Sequence, residues 1–336
     1  MSRVCVAMSG GVDSSATAGV LLRQGHCVEG AMMQLQPHAS AADAARVCRA
    51  LGIPFTLLEA EELFRRLVIE PFIADYQAGR TPNPCVRCNR ALKFGWMLDW
   101  ALAQGFDAIA TGHYARIERG GSRWLLRAGT DPARDQTYFL YTLTQHQLAH
   151  LQFPVGDMEK PAVRALAASL GLPVAQKKDS QDICFIPDGD YMAYLRGSGA
   201  ALHPGRFLDE TGRELGRHSG AEGYTLGQRR GLGLACGAPV YVLRKEGADV
   251  VVGAERALYS TRVRVGDCNW IAVDPPQRPL RAEVCLRYSR SRSAAESVPT
   301  AEGAELIFDA PQRAVTPGQA AVFYDGPYVL GGGTIL

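Results

Sequence analysis

Short apolar runs alternate with helical periodicity over roughly the first third of the chain. The apolar runs predict strands at Val4–Met8, Val28–Met33, Phe55–Leu58 and Ala108–Thr111. The periodic segments predict helices at Ser14–Arg23, Ala41–Leu51, Glu61–Gln77 and Ala91–Gln104. Because strands that alternate with helices build parallel sheets covered on both faces, we expect an α/β domain at the N-terminus.

The pattern changes twice farther along the chain. Two short apolar runs around Arg119–Ser122 predict a hairpin, and helical stretches return at Gln145–Leu151 and Lys160–Leu170. After His203 glycine becomes frequent and short strands replace helices. We therefore expect a parallel-sheet domain at residues 1–203, a small linking domain at 204–261 and a C-terminal β-barrel at 262–336.

Composition narrows the class of protein. The chain has 336 residues, of which 47% are apolar, and a net charge of only +2, which excludes wholesale disorder and a strongly basic arm. We see no apolar run as long as a membrane span and no signal peptide, so we expect a cytoplasmic protein without a membrane partner. Its nine cysteines are an odd number in a chain too large to need a disulfide framework, and we interpret most of them as small buried apolar residues.

A glycine-rich turn joins the first predicted strand to the first predicted helix. It carries the string Ser9-Gly10-Gly11-Val12-Asp13-Ser14. Glycines let the backbone approach a ligand, and the helix start offers free N–H groups to an anion. The lysine of a Walker loop is missing, and a capped helix after a glycine turn is the simpler alternative.

Three cysteines stand in settings that favour chemistry. Cys85 and Cys88 form a C-x-x-C pair within Arg80–Asn89, where alternating prolines predict an extended loop. Such a pair serves as a redox dithiol, as half of a zinc site or as cluster ligands, and Arg87 together with the following helix is expected to lower a thiol pKa. Cys184 follows the polar string Asp179–Asp182. We interpret the other six as packing thiols: Cys5, Cys27, Cys48, Cys236, Cys268 and Cys285.

The phosphate loop resembles that of the PP-loop ATP pyrophosphatases, which cleave ATP between the α and β phosphates and adenylate a carbonyl-type oxygen. Further motifs follow in order: Arg80–Asn89, Ala110–Tyr114, Asp135–Leu140, Asp179–Ile186 and Tyr224–Arg229. With them the whole chain resembles the bacterial tRNA-specific 2-thiouridylases. This resemblance implies an ATP-dependent sulfurtransferase that thiolates the wobble uridine of tRNA.

The resemblance also implies the ligand sites. ATP, with Mg²⁺, is expected to bind at Ala7, Met8, Ser9, Gly10, Gly11, Val12, Asp13, Ser14, Met33 and Gly112. The target base is expected at Asn83, Pro84 and Cys85. The tRNA is expected to contact His113, Arg134, Asp135, Gln136, Arg287, Tyr288 and Gln319. Because RNA is read at unstacked bases, we expect the uridine to be flipped toward the cysteine loop.

By the same resemblance Cys184 receives sulfur as a persulfide and Cys88 is its partner thiol. Some relatives carry aspartate in place of Cys85, assigned to acid–base work, so either that role is dispensable here or a thiolate takes it. Alternatively, Cys85, Cys88 and Cys184 ligate a 4Fe–4S cluster in a related thiolating enzyme. A non-enzymatic RNA-binding protein with a structural metal leaves the phosphate loop unexplained. The sulfur donor, a cysteine desulfurase or a relay protein, is not specified by the sequence.

Overall fold

The N-terminal part of the chain folds around a five-stranded sheet in which all pairings are parallel. The structure is a computed structural model that describes residues 1–36, 40–178, 183–186, 188–289 and 291–336. The strand order is β3-β2-β1-β4-β7. The strands are β1 (Arg3–Ala7), β2 (Cys27–Gln34), β3 (Phe55–Glu59), β4 (Ala108–Ala110) and β7 (Leu151–Gln152).

Helices cover both faces of this sheet, as the alternating pattern predicts. Val4 and Val6 of β1 face one apolar core and Cys5 faces the other, and all three are fully buried. The first core is closed by α1 (Val12–Arg23), α2 (Ala42–Leu51) and α8 (Lys160–Ser169). The predicted α/β domain is therefore confirmed.

Two long helices of this part of the chain contain π-helical segments. The first runs through α3 (Glu61–Phe64), a π-helical segment (Arg65–Ile69) and α4 (Glu70–Gln77). The second runs through α5 (Pro84–Cys88), a π-helical segment (Asn89–Trp96) and α6 (Met97–Ala103). The shorter helices are α7 (Gln145–Ala149) and α9 (Tyr191–Gly197). None of the described helices is long and apolar enough to cross a membrane.

A four-stranded sheet follows the helical region. Its order is β10-β11-β8-β9, and its small core is built around Phe207, Val242 and Val250. The strands are β8 (Gly205–Leu208), β9 (Glu214–His218), β10 (Tyr241–Glu246) and β11 (Asp249–Gly253).

The C-terminal strands close into a six-stranded antiparallel barrel, because β12 pairs with both β15 and β17. The remaining pairings run β15-β14-β13-β16-β17. The strands are β12 (Tyr259–Trp270), β13 (Leu280–Cys285), β14 (Ser293–Thr300), β15 (Gly303–Arg313), β16 (Ala320–Asp325) and β17 (Tyr328–Ile335). Each of these six strands therefore pairs on both sides, and this closure confirms the predicted barrel.

The barrel is joined to the N-terminal α/β part by a hairpin and by polar contacts. The predicted hairpin is confirmed as β5 (Ala115–Gly120) and β6 (Arg123–Ala128), and β6 pairs with β17 through Arg127 and Tyr328. A register shift in β12 leaves Asp267 at φ 48°, and its carboxylate pairs with Arg90. A bulge of this kind re-aims a side chain out of the strand.

Candidate functional site

The phosphate loop lies where the strand order of the sheet reverses. Strand β1 is flanked by β2 on one side and β4 on the other, and ligands of open α/β sheets bind at the carboxyl ends of such strands. Gly10 adopts φ +66°, and Gly11 is the N-cap of α1. The Ser9 amide N–H donates to Ser14 Oγ (3.2 Å), and Ser15 Oγ donates to the Gly11 carbonyl (2.7 Å). The predicted arrangement of strand, glycine-rich loop and helix start is therefore present, and such a helix start favours anions.

Gly112 lies against this loop, directly beyond β4. A Cβ at this position would lie 2.7 Å from the Cβ and carbonyl carbon of Asp13 and 2.8 Å from the Ser14 nitrogen. Only a residue without a side chain fits between the segment after β4 and the start of α1. The glycine thus lets the segment after β4 and the phosphate loop form one continuous wall.

Two lysines that the sequence analysis did not single out hold the phosphate loop. Lys160 Nζ donates to both carboxylate oxygens of Asp13 (2.8 and 2.9 Å), and Tyr114 Oη donates to the same carboxylate (2.8 Å). Lys177 Nζ donates to the Gly10 carbonyl (3.0 Å). These lysines follow the loop by well over a hundred residues, so no local motif connects them with it.

A cleft of about 370 Å³ opens at this end of the sheet. Its walls contain Ala7, Met8, Ser9, Asp13 and Ser14 from the loop region and Met33, Gly112, His113 and Gln136 from other elements. Cys184 and Lys93 line the same cleft. The structure thus brings a predicted sulfur-carrying cysteine to the predicted nucleotide site.

The C-x-x-C pair lies on a helix, and the expected extended loop is wrong. Asn83 is the N-cap of α5 and accepts a hydrogen bond from the Val86 amide (3.3 Å), while Pro84 takes the first helical position. Proline is tolerated there because its missing N–H would have no partner in the first turn. Cys85 and Cys88 therefore project from the first turns of a helix that begins at Pro84, seven residues before its predicted start at Ala91.

The expected lowering of the thiol pKa by Arg87 is also wrong. Burial raises the pKa of Cys88 to about 11, and it raises those of Cys85 and Cys184, although these two residues are exposed. Arg87 instead pairs with Asp75 (3.2 Å). The positive charge that opposes burial at all three thiols is that of Lys93.

The three cysteines and Asp13 differ in their suitability as metal ligands. Among the described residues, which include all three of these cysteines, no group of three or more His, Cys, Asp or Glu side chains is arranged to hold a metal. The alternative of a 4Fe–4S cluster on Cys85, Cys88 and Cys184 therefore does not fit the arrangement. Mg²⁺ has a simpler requirement, since it binds through one or two carboxylates and the substrate phosphates, and Asp13 meets it.

His113 is an uncharged part of the cleft wall. Its ring packs between Phe94 and Phe153, and its Nδ1 shares a hydrogen bond with Thr111 Oγ1 (2.6 Å). Burial, with a smaller contribution from Lys93, holds the pKa of His113 well below its usual range. Its predicted contact with tRNA would therefore be made by a neutral imidazole.

The predicted RNA-contacting residues fall into neighbouring parts of the surface. Gln136 Oε1 accepts the Tyr114 amide (3.0 Å) beside the cleft, and Arg134 and Asp135 precede it. Tyr288 donates to the Asp135 carbonyl (3.2 Å) and packs on Phe139, with 53% of its surface exposed. Arg287 is exposed, and Arg290 of the same basic patch lies outside the described residues.

Gln319 joins the barrel to the segment that carries the C-x-x-C pair. Its Nε2 donates to the carbonyls of Thr81 (2.8 Å) and Pro82 (3.4 Å), and the Thr81 amide donates to the Pro317 carbonyl (2.9 Å). Asn83 lines a groove of about 550 Å³ beside this junction. The predicted base-binding segment is thus supported by the barrel.

The interpretation of six cysteines as packing thiols is correct for only some of them. Cys5, Cys48 and Cys285 are buried and Cys268 is half-buried, as packing thiols should be, but Cys27 and Cys236 are exposed. All nine are free thiols. Of the motif that precedes Cys184, Asp179–Asp182 lie outside the described residues.

Comparisons with known proteins show the family of the chain. Models of the tRNA methyl transferase HUP domain, the tRNA methyl transferase PRC-barrel domain and the aminomethyltransferase β-barrel domain match residues 2–188, 194–254 and 260–335. The tRNA-specific 2-thiouridylases MnmA of Magnetococcus marinus and Acetivibrio thermocellus are each 46% identical, with 99% of both chains covered. A solved 4-thiouridine synthetase–RNA complex is similar over 58% of this chain and 50% of its own, but its TM-score of 0.36 and 15% identity carry no argument.

Proposed function

Because the chain belongs to the family of tRNA-specific 2-thiouridylases, we propose that it uses ATP to replace O2 of the wobble uridine of tRNA with sulfur. One observation carries the proposal. Ser9, Asp13 and Ser14 of the phosphate loop line the same cleft as Gly112 and Cys184, so the proposed nucleotide site and the proposed sulfur-carrying thiol share one space.

Adenylation is the first step. The loop residues Ser9–Ser14 bind the phosphates of ATP, and Met33 and Gly112 lie against the adenosine. The uracil O2 attacks the α-phosphorus, pyrophosphate leaves, and O2 becomes part of a good leaving group. Asp13, oriented by Lys160 and Tyr114, would hold the Mg²⁺ that offsets the phosphate charge.

Sulfur transfer is the second step. A persulfide donor, which is a desulfurase or a relay protein, loads Cys184. The terminal sulfur attacks C2 of the adenylated uridine and AMP leaves. Cys88 then attacks Sγ of Cys184, so that a Cys88–Cys184 disulfide forms while the transferred sulfur keeps the electron pair of the broken S–S bond. A thiol reductant restores both thiols for the next cycle.

Cys85 is proposed to take no part as a base. The surrounding protein raises the pKa of its thiol, which disfavours the thiolate that a base would need. Cys85 with Asn83 and Pro84 is proposed to contact the target base. The tRNA is proposed to extend over His113, Arg134–Gln136, Arg287 and Tyr288 to the barrel.

A thiolation assay tests the function. A tRNA transcript with uridine at the wobble position is incubated with protein, ATP, a persulfide donor and a reductant, and thiolated RNA is separated on a mercury-containing gel. We expect product only with ATP, none with a cytidine at that position, and more than a hundredfold loss in Cys88→Ser and Cys184→Ser. Cys85→Ser is expected to stay within about tenfold of the parent protein, since one neutral hydrogen-bonding group replaces another.

Cys236→Ser is the matched control, because it removes an exposed thiol that does not line the cleft. Product without ATP, or full activity of Cys184→Ser, would refute the proposal.

A further inference from the structure

The thiols of Cys85, Cys88 and Cys184 are close enough for their charges to interact. The charges of Cys85 and Cys184 each act on Cys88, and that of Cys85 acts on Cys184, so ionising one thiol disfavours ionising the next. Thiolates, and not thiols, are the nucleophiles in sulfur exchange. A site that must form several sulfur anions in one cycle therefore needs a nearby cation.

Lys93 is a cation whose charge acts on all three thiols. It lines the cleft together with Cys184 and Ser9, and its charge acts on Cys85, Cys88, Cys184 and His113 alike. Lys93 follows Cys88 by five residues, within the π-helical segment Asn89–Trp96. The i→i+5 repeat of a π-helix brings residues five apart toward the same face, whereas an α-helix would separate them.

The ammonium group of Lys93 has no counter-ion in the described part of the chain. No carboxylate lies within ion-pair distance of it, and it takes part in none of the hydrogen bonds found there, in contrast to Lys160 and Lys177. The residue is nevertheless half-buried. A half-buried cation without an anion, placed among three thiols, suits an anion that arises only during the reaction.

We propose that the Lys93 ammonium is the group that stabilises anionic sulfur in this site, first as the persulfide anion on Cys184 and then as the thiolate of Cys88. The inference rests on the proposed sulfur transfer for its catalytic meaning. When Cys88 attacks Sγ of Cys184, a Cys88–Cys184 bond forms, the Sγ–sulfur bond breaks and the departing sulfur takes the electron pair. Lys93 keeps a positive charge beside the attacking and the departing sulfur throughout, and no proton leaves the lysine.

The test measures the reactivity of the thiols as a function of pH, in the absence of ATP, RNA and sulfur donor. The rate of alkylation of Cys88 and of Cys184 by iodoacetamide is followed by mass spectrometry from pH 6.5 to pH 10 in the parent protein, Lys93→Met and Lys93→Arg. The titratable groups that act on these thiols in the described residues are Lys93, the thiols themselves and, at Cys184, Tyr194 of α9. We expect Lys93→Met to move both profiles to higher pH and to slow alkylation at pH 8 by about threefold to tenfold, since one pKa unit is tenfold in thiolate. Lys93→Arg should retain most of the parent rate.

Two further measurements keep the result decisive. Thermal unfolding reports whether Lys93→Met is folded, and Lys93→Gln replaces it if it is not. Arg49→Met, which removes an exposed cation on α2 outside the cleft, is the matched control and should leave the alkylation profiles unchanged. Unchanged profiles in folded Lys93→Met or Lys93→Gln, or equal slowing by Lys93→Arg, would overturn the proposal.

The thiolation assay then separates this inference from the function itself. A fall in kcat with an unchanged KM for ATP supports the role of Lys93 at sulfur. A rise in KM for ATP with normal alkylation shows instead that Lys93 binds phosphate, and it overturns the proposal. If the parent protein makes no thiouridine, the alkylation profiles still decide where the Lys93 charge acts.

Discussion

Lys160 is a single residue on which the phosphate loop depends. Its ammonium is almost buried, with 9% of the side chain exposed, and it holds both oxygens of Asp13. Removing one partner of a buried pair costs more than the pair contributes, because the other charge is left without compensation. Asp13 retains 32% exposure, so water relieves part of this cost.

We therefore expect Lys160→Met to lower the free energy of unfolding by about 2–3 kcal/mol, below the ~3–5 kcal/mol of a fully buried pair. The KM for ATP should rise at least tenfold, because Asp13 loses its fixed orientation. Lys160→Arg should recover part of both. Chemical denaturation and initial rates measure the two effects, and an unchanged KM in a destabilised Lys160→Met protein would show that the ion pair serves stability alone.

The residues of the site differ in how visible they are in the sequence. Ser9–Ser14 are contiguous and follow a strand, so their role is readable from local pattern. Lys160, Lys177 and Tyr114 are joined to that loop only by the packing of α8 and the segment after β4. A lysine far along the chain carries no signal that it pairs with Asp13, and Lys93 becomes informative only when the three thiols are seen around it.

At the scale of elements, the approach of β4 to the phosphate loop depends on Gly112. An added methyl group there meets backbone atoms at 2.7–2.8 Å, and these atoms cannot rotate away as a side chain would. Overpacking of this kind costs about 1–3 kcal/mol and is relieved by moving one of the two segments. Either movement changes the shape of the nucleotide site.

Gly112→Ala is accordingly expected to raise the KM for ATP at least tenfold, whereas the Kd for tRNA should change less than threefold. Gly197→Ala at the end of α9 is the matched control, since nothing lies within 4 Å of its added Cβ and its φ is not positive. Equilibrium binding of ATP and of tRNA measures both. Equal ATP affinity in the two variants would mean that the loop accommodates the methyl group.

The helices and strands that could be predicted from the sequence are those whose local pattern alone determines them. The buried strands of the parallel sheet are continuous apolar runs, and the helices between them end at glycines. The sequence of strand β14, Ser293–Thr300, does not by itself predict a strand, because it contains a single β-branched apolar residue, Val298. It is a strand because it pairs on both sides within the barrel, with Ala295 and Ser297 buried. Helix α5 escaped because a proline suggested a break where it serves as the first helical residue.

At the scale of the molecule, the barrel contacts both the segment that precedes α5 and the helix that carries the C-x-x-C pair. Arg90 pairs with Asp267 of the barrel, and Gln319 donates to two carbonyls on the residues before Asn83. No local pattern in either part of the sequence predicts this junction, because its partners come together only once both parts have folded. A barrel that binds RNA would thereby also fix the position of the thiols relative to the target base.

Gln319→Glu tests this coupling. The carboxylate has no donor for the carbonyls of Thr81 and Pro82 and repels both, so the segment should move away from the barrel. We expect kcat for thiolation to fall about tenfold with less than a threefold change in the Kd for tRNA, and the alkylation rate of Cys85 without RNA to change. Gln277→Glu makes the same chemical change at an exposed barrel residue and should change none of these quantities. If Gln319→Glu instead weakens tRNA binding while kcat at saturating tRNA and the alkylation rate stay normal, Gln319 acts as a direct contact to RNA, and the barrel contributes affinity without positioning the cysteine helix.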